Sequence, residues 1–289
     1  MRAICPKCNS THIQKKGVVY SKGYECNVQR YKCIGCRKQF QVPRDSPKVD
    51  LPKILLFDIE TAPMEVYVWG LYKQFIPHTN IIKDSDGEEK SWYVLSWAAK
   101  WLYDENVVSD IVTPEETKTR DDKRVLESIW KLLDEADIVI GHNGDRFDLR
   151  KLNARFIDNN IKPPSPFRTI DTLKVARREF AFVSYKQDYL TKHFKLEQKL
   201  STEFQLWVDC IHGNQKRLDE MEEYNRHDVM GLEEVYLKLR PYIKNHPNLG
   251  VLMDQDVCPN CGCEFLDETD TSYFTSANKF PVYRCQGCK

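Results

Sequence analysis

No stretch of this 289-residue chain approaches the roughly 18 consecutive apolar residues of a membrane-crossing helix. A helical membrane span is therefore excluded. Met1 does not lead into an apolar run either, because Arg2 and Cys5 follow at once, so no secretory leader is read there. Low-complexity tracts are lacking, and so are internal repeats, apart from two short cysteine-paired modules at the chain ends. Net charge is missing as well, with 43 basic and 43 acidic side chains. That zero is an average. Residues 1–50 carry 11 basic against 3 acidic side chains, net +8, whereas residues 251–289 carry 3 against 6, net −3. A basic N-terminal segment suggests contact with a polyanion; a lysine-rich solubilising face is the plain alternative.

The chain holds 11 cysteines, eight of them in four Cys-x2-Cys pairs. This pattern fits metal binding in a reducing compartment better than a disulfide framework, and a cytoplasmic protein is expected. Cys5, Cys8, Cys33 and Cys36 have 24 residues between their pairs; Cys258, Cys261, Cys285 and Cys288 have 23. Each set has the spacing of a tetrahedral Cys₄ site, so two structural Zn²⁺ ions are expected, and each module resembles a zinc ribbon. Cys26 and Cys263 are surplus, and Cys263 could compete with Cys261. A set drawn from both chain ends is a further arrangement. The first module interleaves Lys15, Lys16, Lys22, Arg30, Lys32, Arg37 and Lys38 with Tyr20, Tyr24, Tyr31 and Phe40, a mixture suited to single strands. The second stops one residue after Cys288, so a trailing strand is not expected; being acidic, it should pack on the body or meet a protein.

These modules, 1–42 and 256–289, flank a body at 53–243. Pro43, Pro47 and Pro52 mark a stiff linker over 43–52. Strands are predicted at 53–59, 66–72, 93–102, 138–141 and 168–172, and helices at 122–135, 145–159, 173–181, 186–195 and 215–240. Three strands that can run as a meander, then alternating helix and strand, imply a mixed α/β sheet with flanking helices.

Acids appear in this body where the pattern asks for apolar residues. Asp58 and Glu60 lie in the apolar run 54–61, at positions i and i+2 of a strand, and so share a face. Two exposed acids at a strand end would look the same. Asp228 falls on the apolar stripe of the last helix, with Leu218, Met221, Asn225, Leu232, Val235 and Leu239. Tyr224 lies one turn before it, and a plain buried Tyr–Asp hydrogen bond explains that pair equally well. Asp148 closes the segment Gly-His-Asn-Gly-Asp-Arg-Phe-Asp. Grouped carboxylates become tolerable beside divalent cations, and oxygen-only donor sets suit Mg²⁺ or Mn²⁺.

Phe-Asp-Ile-Glu-Thr, Asn143-x3-Phe147-Asp148 and Tyr224-x3-Asp228 stand in the order of the three exonuclease motifs of the DEDD superfamily. The body resembles its DEDDy class, similar to the proofreading domains of family B DNA polymerases, over roughly residues 51–243. The resemblance implies an RNase H-like fold and a 3′–5′ exonuclease that uses two Mg²⁺ or Mn²⁺ ions. It assigns the metals to Asp58, Glu60, Asp148 and Asp228, and the attacking water to Tyr224. The implied partner is nucleic acid, with DNA and single-stranded 3′ ends favoured, and a proofreading role would need a separate polymerase or replication protein. Asn143 would orient substrate or brace the Asp148 turn. Asp171 is read as a helix cap, His142 as a hydrogen-bonding residue, and Cys210 as buried. His227 points about 100° away from Asp228. Two other readings remain. One is a transposase- or resolvase-like endonuclease of RNase H fold, which would not require Tyr224 beside Asp228. The other is an inactive zinc-ribbon adaptor, against which all five residues speak.

Overall fold

The computed structural model describes residues 4–8, 10–21, 26–43, 52–196 and 202–288. It divides into two compact units, Met1–Leu51 and Pro52–Lys289. Residues 44–51 of the expected linker lie outside the described residues, as do Lys22, Tyr24 and the side chains of Tyr20 and Cys26.

The first unit is an antiparallel sheet in the order β1 (Ile13–Ser21), β2 (Cys26–Cys33), β3 (Gln39–Pro43). Among its described residues it buries Cys5, Val28 and Cys33. Tyr31 stacks on Phe40, its partner across β2 and β3, with ring centroids 5.4 Å apart. A segment of about 40 residues rarely buries enough apolar surface to hold a fold by itself.

The second unit is built on a five-stranded sheet. In chain order it comprises β4 (Ile54–Thr61), β5 (Val94–Trp101), β6 (Val108–Ile111), α1 (Pro114–Thr119), α2 (Lys123–Glu135), β7 (Ile138–Gly141), α3 (Asp148–Asp158) and β8 (Arg168–Asp171). Then come α4 (Thr172–Glu179), α5 (Gln187–His193), α6 (Gln205–Ile211), α7 (Gln215–Leu239), α8 (Leu249–Met253), β9 (Leu266–Phe274) and β10 (Lys279–Cys285). The sheet order is β6-β5-β4-β7-β8; β4, β5 and β6 run antiparallel, and β7 and β8 run parallel to β4.

Alternation along β4 splits the core in two. Leu55, Phe57 and Ile59 join one cluster with Leu126, Ile129 and Leu152 from α2 and α3. Ile54 and Leu56 join the other with Val175, Leu190 and Leu232 from α4, α5 and α7. Asp58 and Glu60 continue the second face and emerge where the strand leaves the core. There the β4–β5 register shifts between Glu60 and Thr61. The C-terminal ends of β4, β7 and β8 thus open on one side, the usual place for a site in such sheets.

Two sequence expectations fail here. The strand predicted over 66–72 does not form; only Val66 bridges Ile81. Tyr67, Trp69, Leu71 and Tyr72 are exposed, Trp69 completely. Their β-propensity reports fit to a half-buried pleated surface, and no neighbouring strand among the described residues supplies that surface. The third strand of the meander is instead β6, whose Ser109 and Asp110 interrupt the apolar run that would have marked it. Among the helices, α1, α6 and α8 also went unread; each has five to seven residues, too short for a periodic signal. The segment 241–256, between the body and the C-terminal cysteine module, contains α8, capped by the Asn248 side chain. It ties the C-terminal cysteine module to the body: Leu249 N–H donates to the Pro259 carbonyl, and the Asn260 amide donates to the carbonyls of Arg240 and Ile243. The module's two strands pair antiparallel.

Candidate active site

The stripe read along α7 is buried throughout: Leu218, Met221, Asn225, Asp228, Leu232, Val235 and Leu239. The helix therefore presents Asp228 to the sheet, beside the two acids of β4. Carboxylate oxygens of Asp58, Glu60 and Asp228 all lie within 4.8 Å of one another. Like charges this close repel unless a proton or a cation lies among them. The donor set is oxygen only, which fits Mg²⁺ or Mn²⁺.

Asp148 lines the same cavity, of about 680 Å³, but is not one of the three converging acids. It opens α3, and its Oδ1 accepts a hydrogen bond of 3.1 Å from the Ile59 N–H. The two motifs are thereby joined through backbone. Burial pushes the Asp148 carboxyl up to about 7, against the Ile59 hydrogen bond that favours the charged form.

The turn that delivers Asp148 is tight. A Cβ on Gly141 would sit 3.0 Å from the Gly144 Cα, so a side chain there would press on backbone, and glycine at both positions lets the chain double back without that strain. Asn143 takes φ +67°, a conformation that asparagine tolerates. Its N–H donates to Asp171 Oδ1, and its carbonyl accepts from the N–H groups of Arg146 and Phe147. Asn143 both braces this turn and lines the cavity. Asp171 caps α4 through Leu173 N–H and Lys174 N–H, as its position before a helix implied. His142 lines the cavity with both ring nitrogens engaged, Nδ1 with Thr172 Oγ1 and Nε2 with the Tyr185 carbonyl. His227 faces a separate cavity of about 200 Å³, which Asp228 also lines.

Tyr224 is buried one turn before Asp228 and meets the Trp207 ring edge-on, centroids 5.9 Å apart. Trp207 Nε1 donates to Glu60 Oε2 at 3.1 Å. It also lines an apolar cavity of about 340 Å³ with Met64, Trp92, Lys151 and Phe204. Lys151 Nζ lies 3.7 Å from the centroid of the Trp92 ring. Trp207 lies on α6, a helix of seven residues that leaves no periodic signal in the sequence. Asn225 leaves one, as a polar residue on an apolar stripe. Two cations, Arg177 and Lys186, stand in the wall of the acidic cavity, on α4 and the loop before α5.

The cysteine sets form as two separate groups, each from one module. Closest Sγ pairs are 3.4 and 3.5 Å apart in the first and 3.5 and 3.7 Å in the second. Those distances exceed a disulfide bond and approach the spacing of about 3.8 Å for sulfurs around tetrahedral zinc with Zn–S near 2.3 Å. The Cys36 N–H reaches the Cys33 Sγ, the chief reason that thiol is lowered to about 6. The residues fit zinc. Cys263 lies outside the second set, its Sγ near the Phe265 carbonyl. Cys210 is buried, which pushes its thiol up to about 12.

Residues 86–240 match the RNase_H_2 family model of the RNase_H superfamily. Among solved structures, the family B DNA polymerase from the hyperthermophilic archaeon Pyrobaculum calidifontis is similar over 66% of this chain, at 19% identity and a TM-score of 0.46. The matched part spans 25% of the polymerase chain. No curated protein matches the sequence. With more than half of its residues inside the family match and a mixed sheet of the corresponding kind, the chain belongs to the RNase_H superfamily.

Proposed function

We propose that this chain is a metal-dependent 3′–5′ exonuclease of the DEDDy type, acting on nucleic acid, with single-stranded DNA ends favoured. The observation that carries the reading is the convergence of Asp58, Glu60 and Asp228, with Tyr224 one turn from Asp228 and Asp148 in the same cavity. These four acids would hold two Mg²⁺ or Mn²⁺ ions. Such a pair, when bound, activates water and stabilises the leaving 3′ oxygen.

The chain's own groups supply the rest. Tyr224 would orient the attacking water through its phenol. Arg177 and Lys186 offer the acidic cavity its cationic wall, where the phosphates of an incoming strand would lie. The apolar cavity beside Glu60, walled by Trp92, Phe204 and Trp207, suits an unstacked base. Each Cys₄ set would carry a structural Zn²⁺, and the basic first module would help to capture the strand.

A digest of 5′-labelled and 3′-labelled single strands with Mg²⁺ tests the reading. It should release 5′-mononucleotides from the 3′ end, and Asp58→Ala or Asp228→Ala should each lower the rate about 10³-fold or more. Cleavage that survives EDTA, starts from the 5′ end or cuts internally would overturn it.

A further inference from the structure

Asn225 follows Tyr224 on α7 and is fully buried on the stripe that carries Asp228. A leucine would suit that stripe better, since a buried amide is costly unless both of its ends are paired. Both ends are paired. Asn225 Nδ2 donates to Asp58 Oδ2 at 2.8 Å, and Asn225 Oδ1 accepts from the Ser96 hydroxyl at 3.0 Å. Ser96 lies on β5 directly opposite Glu60 and is itself fully buried.

The direction of this chain of hydrogen bonds is fixed by parity. A carboxylate oxygen without a proton accepts, and it is the amide nitrogen that faces Asp58 Oδ2. The amide oxygen then faces Ser96, whose hydroxyl must donate. With the amide flipped, two acceptors would meet at Asp58. The arrangement therefore holds the Asn225 amide in one orientation toward Asp58, on the strand that also carries Glu60. It links three elements, β5, α7 and β4, at the point where the carboxylates converge.

We infer that Asn225, oriented by Ser96, is a positioning residue that sets Asp58 for a divalent cation; this rests on the reading of the three acids as a cation site. It is not a catalytic residue, because it reaches the reaction only through Asp58. Partners of this kind, one shell out from a metal, are typically worth about 10- to 100-fold in metal affinity. Their role in stability is different. Asn225→Leu alone takes the acceptor from the buried Ser96 hydroxyl and should lower the melting temperature, whereas replacing both residues by apolar groups can be near neutral for the fold.

The test is Mn²⁺ binding to the zinc-loaded full chain, followed by calorimetry and by the Mn²⁺ electron spin resonance signal, beside thermal melting of the same samples. Asn225→Leu should fold and bind Mn²⁺ about 10- to 100-fold more weakly. Ser96→Ala should weaken binding in the same direction by less. In the Asn225→Leu background, Ser96→Ala should add nothing, because Ser96 acts through Asn225. A folded Asn225→Leu chain with wild-type Mn²⁺ affinity would overturn the positioning role, as would additive effects in the cycle. If Asn225→Leu does not fold, Ser96→Ala decides alone, and wild-type affinity in that variant overturns the role. A wild-type chain that binds no Mn²⁺ would instead sink the cation reading itself.

Discussion

Removing the two cations in the wall of the acidic cavity gives a prediction with a computable size. Arg177 and Lys186 share that cavity with Asp58, Glu60, Asp148, Asp188 and Asp228. A polyanion approaching those acids meets net repulsion, so its path should follow these two side chains. Each phosphate contact on a single strand contributes about −0.7 to the slope of log affinity against log salt. The double variant Arg177→Gln/Lys186→Gln should therefore flatten the slope by about 1.4. From about 50 to about 200 mM salt, a fourfold change, wild type should lose about sevenfold more affinity than the variant does. The assay is kcat/KM on a short labelled single strand across that range at fixed Mg²⁺. The value of kcat at saturation should move little, since neither residue belongs to the proposed cation or water site. An unchanged salt slope would refute the phosphate path, whatever happened to the absolute rate.

Tyr224→Phe should fold normally and lose about 10- to 10³-fold in kcat, because the acids remain and only the hydroxyl proposed to orient water goes; full wild-type rate would remove the tyrosine from the mechanism. Purified chain should hold two zinc ions by metal analysis, and deletion of residues 1–46 should leave a folded body that binds strands more weakly, with a flatter salt slope; equal binding with an equal slope would deny the first module any part in strand capture. Asp122→Ala should cost about 3–5 kcal/mol in denaturant melts, because the fully buried carboxylate accepts from Val94 N–H and from Arg155, and its loss strands both; a cost below about 1 kcal/mol would show that these partners find water. His246 gives a pH dependence. Its imidazole is held below its ordinary value of 6.5 chiefly by burial, so the unfolded chain takes up a proton that the folded chain refuses, and stability should fall as pH drops from about 7 to about 5. His246→Gln should lose less stability than wild type over that range, and equal losses would clear His246 of the effect.

Much of the candidate site was legible because its residues break local patterns. Asp58 and Glu60 interrupt an apolar strand, and Asp228 interrupts an apolar helical stripe; an acid on a core face is a costly event with few explanations. The turn 141–148 was read less well, since the helix predicted from 145 begins only at Asp148. Long periodic elements were readable too. The helix predicted over 215–240 is Gln215–Leu239, and the strand predicted over 138–141 is Ile138–Gly141. The segment 66–72 shows the limit. Valine, tyrosine and tryptophan in alternation describe a surface that fits a sheet, and only the tertiary structure says whether a sheet edge is there to receive it.

What the sequence hid was the support around the acids. Trp207 reaches Glu60 from 147 positions away, and Asn225 reaches Asp58 from 167. Neither distance leaves a local trace. Asn225 did leave a weaker one, as a polar residue on a stripe that otherwise buries apolar groups and one acid. The same rule that singled out Asp228 applies to it: a buried polar group implies a partner. Carried one residue further, that rule predicts a hydrogen-bonding partner for Asn225 among the buried polar groups. It does not say which, because strand register decides that. Ser96 pairs with Glu60 across β4 and β5, so the hydroxyl arrives beside Asn225 only through that alignment. Chemistry thus marks which residues need partners, and topology chooses the partners. Predictions that rest on a single acid follow from the first; those that rest on the setting of that acid follow from the second.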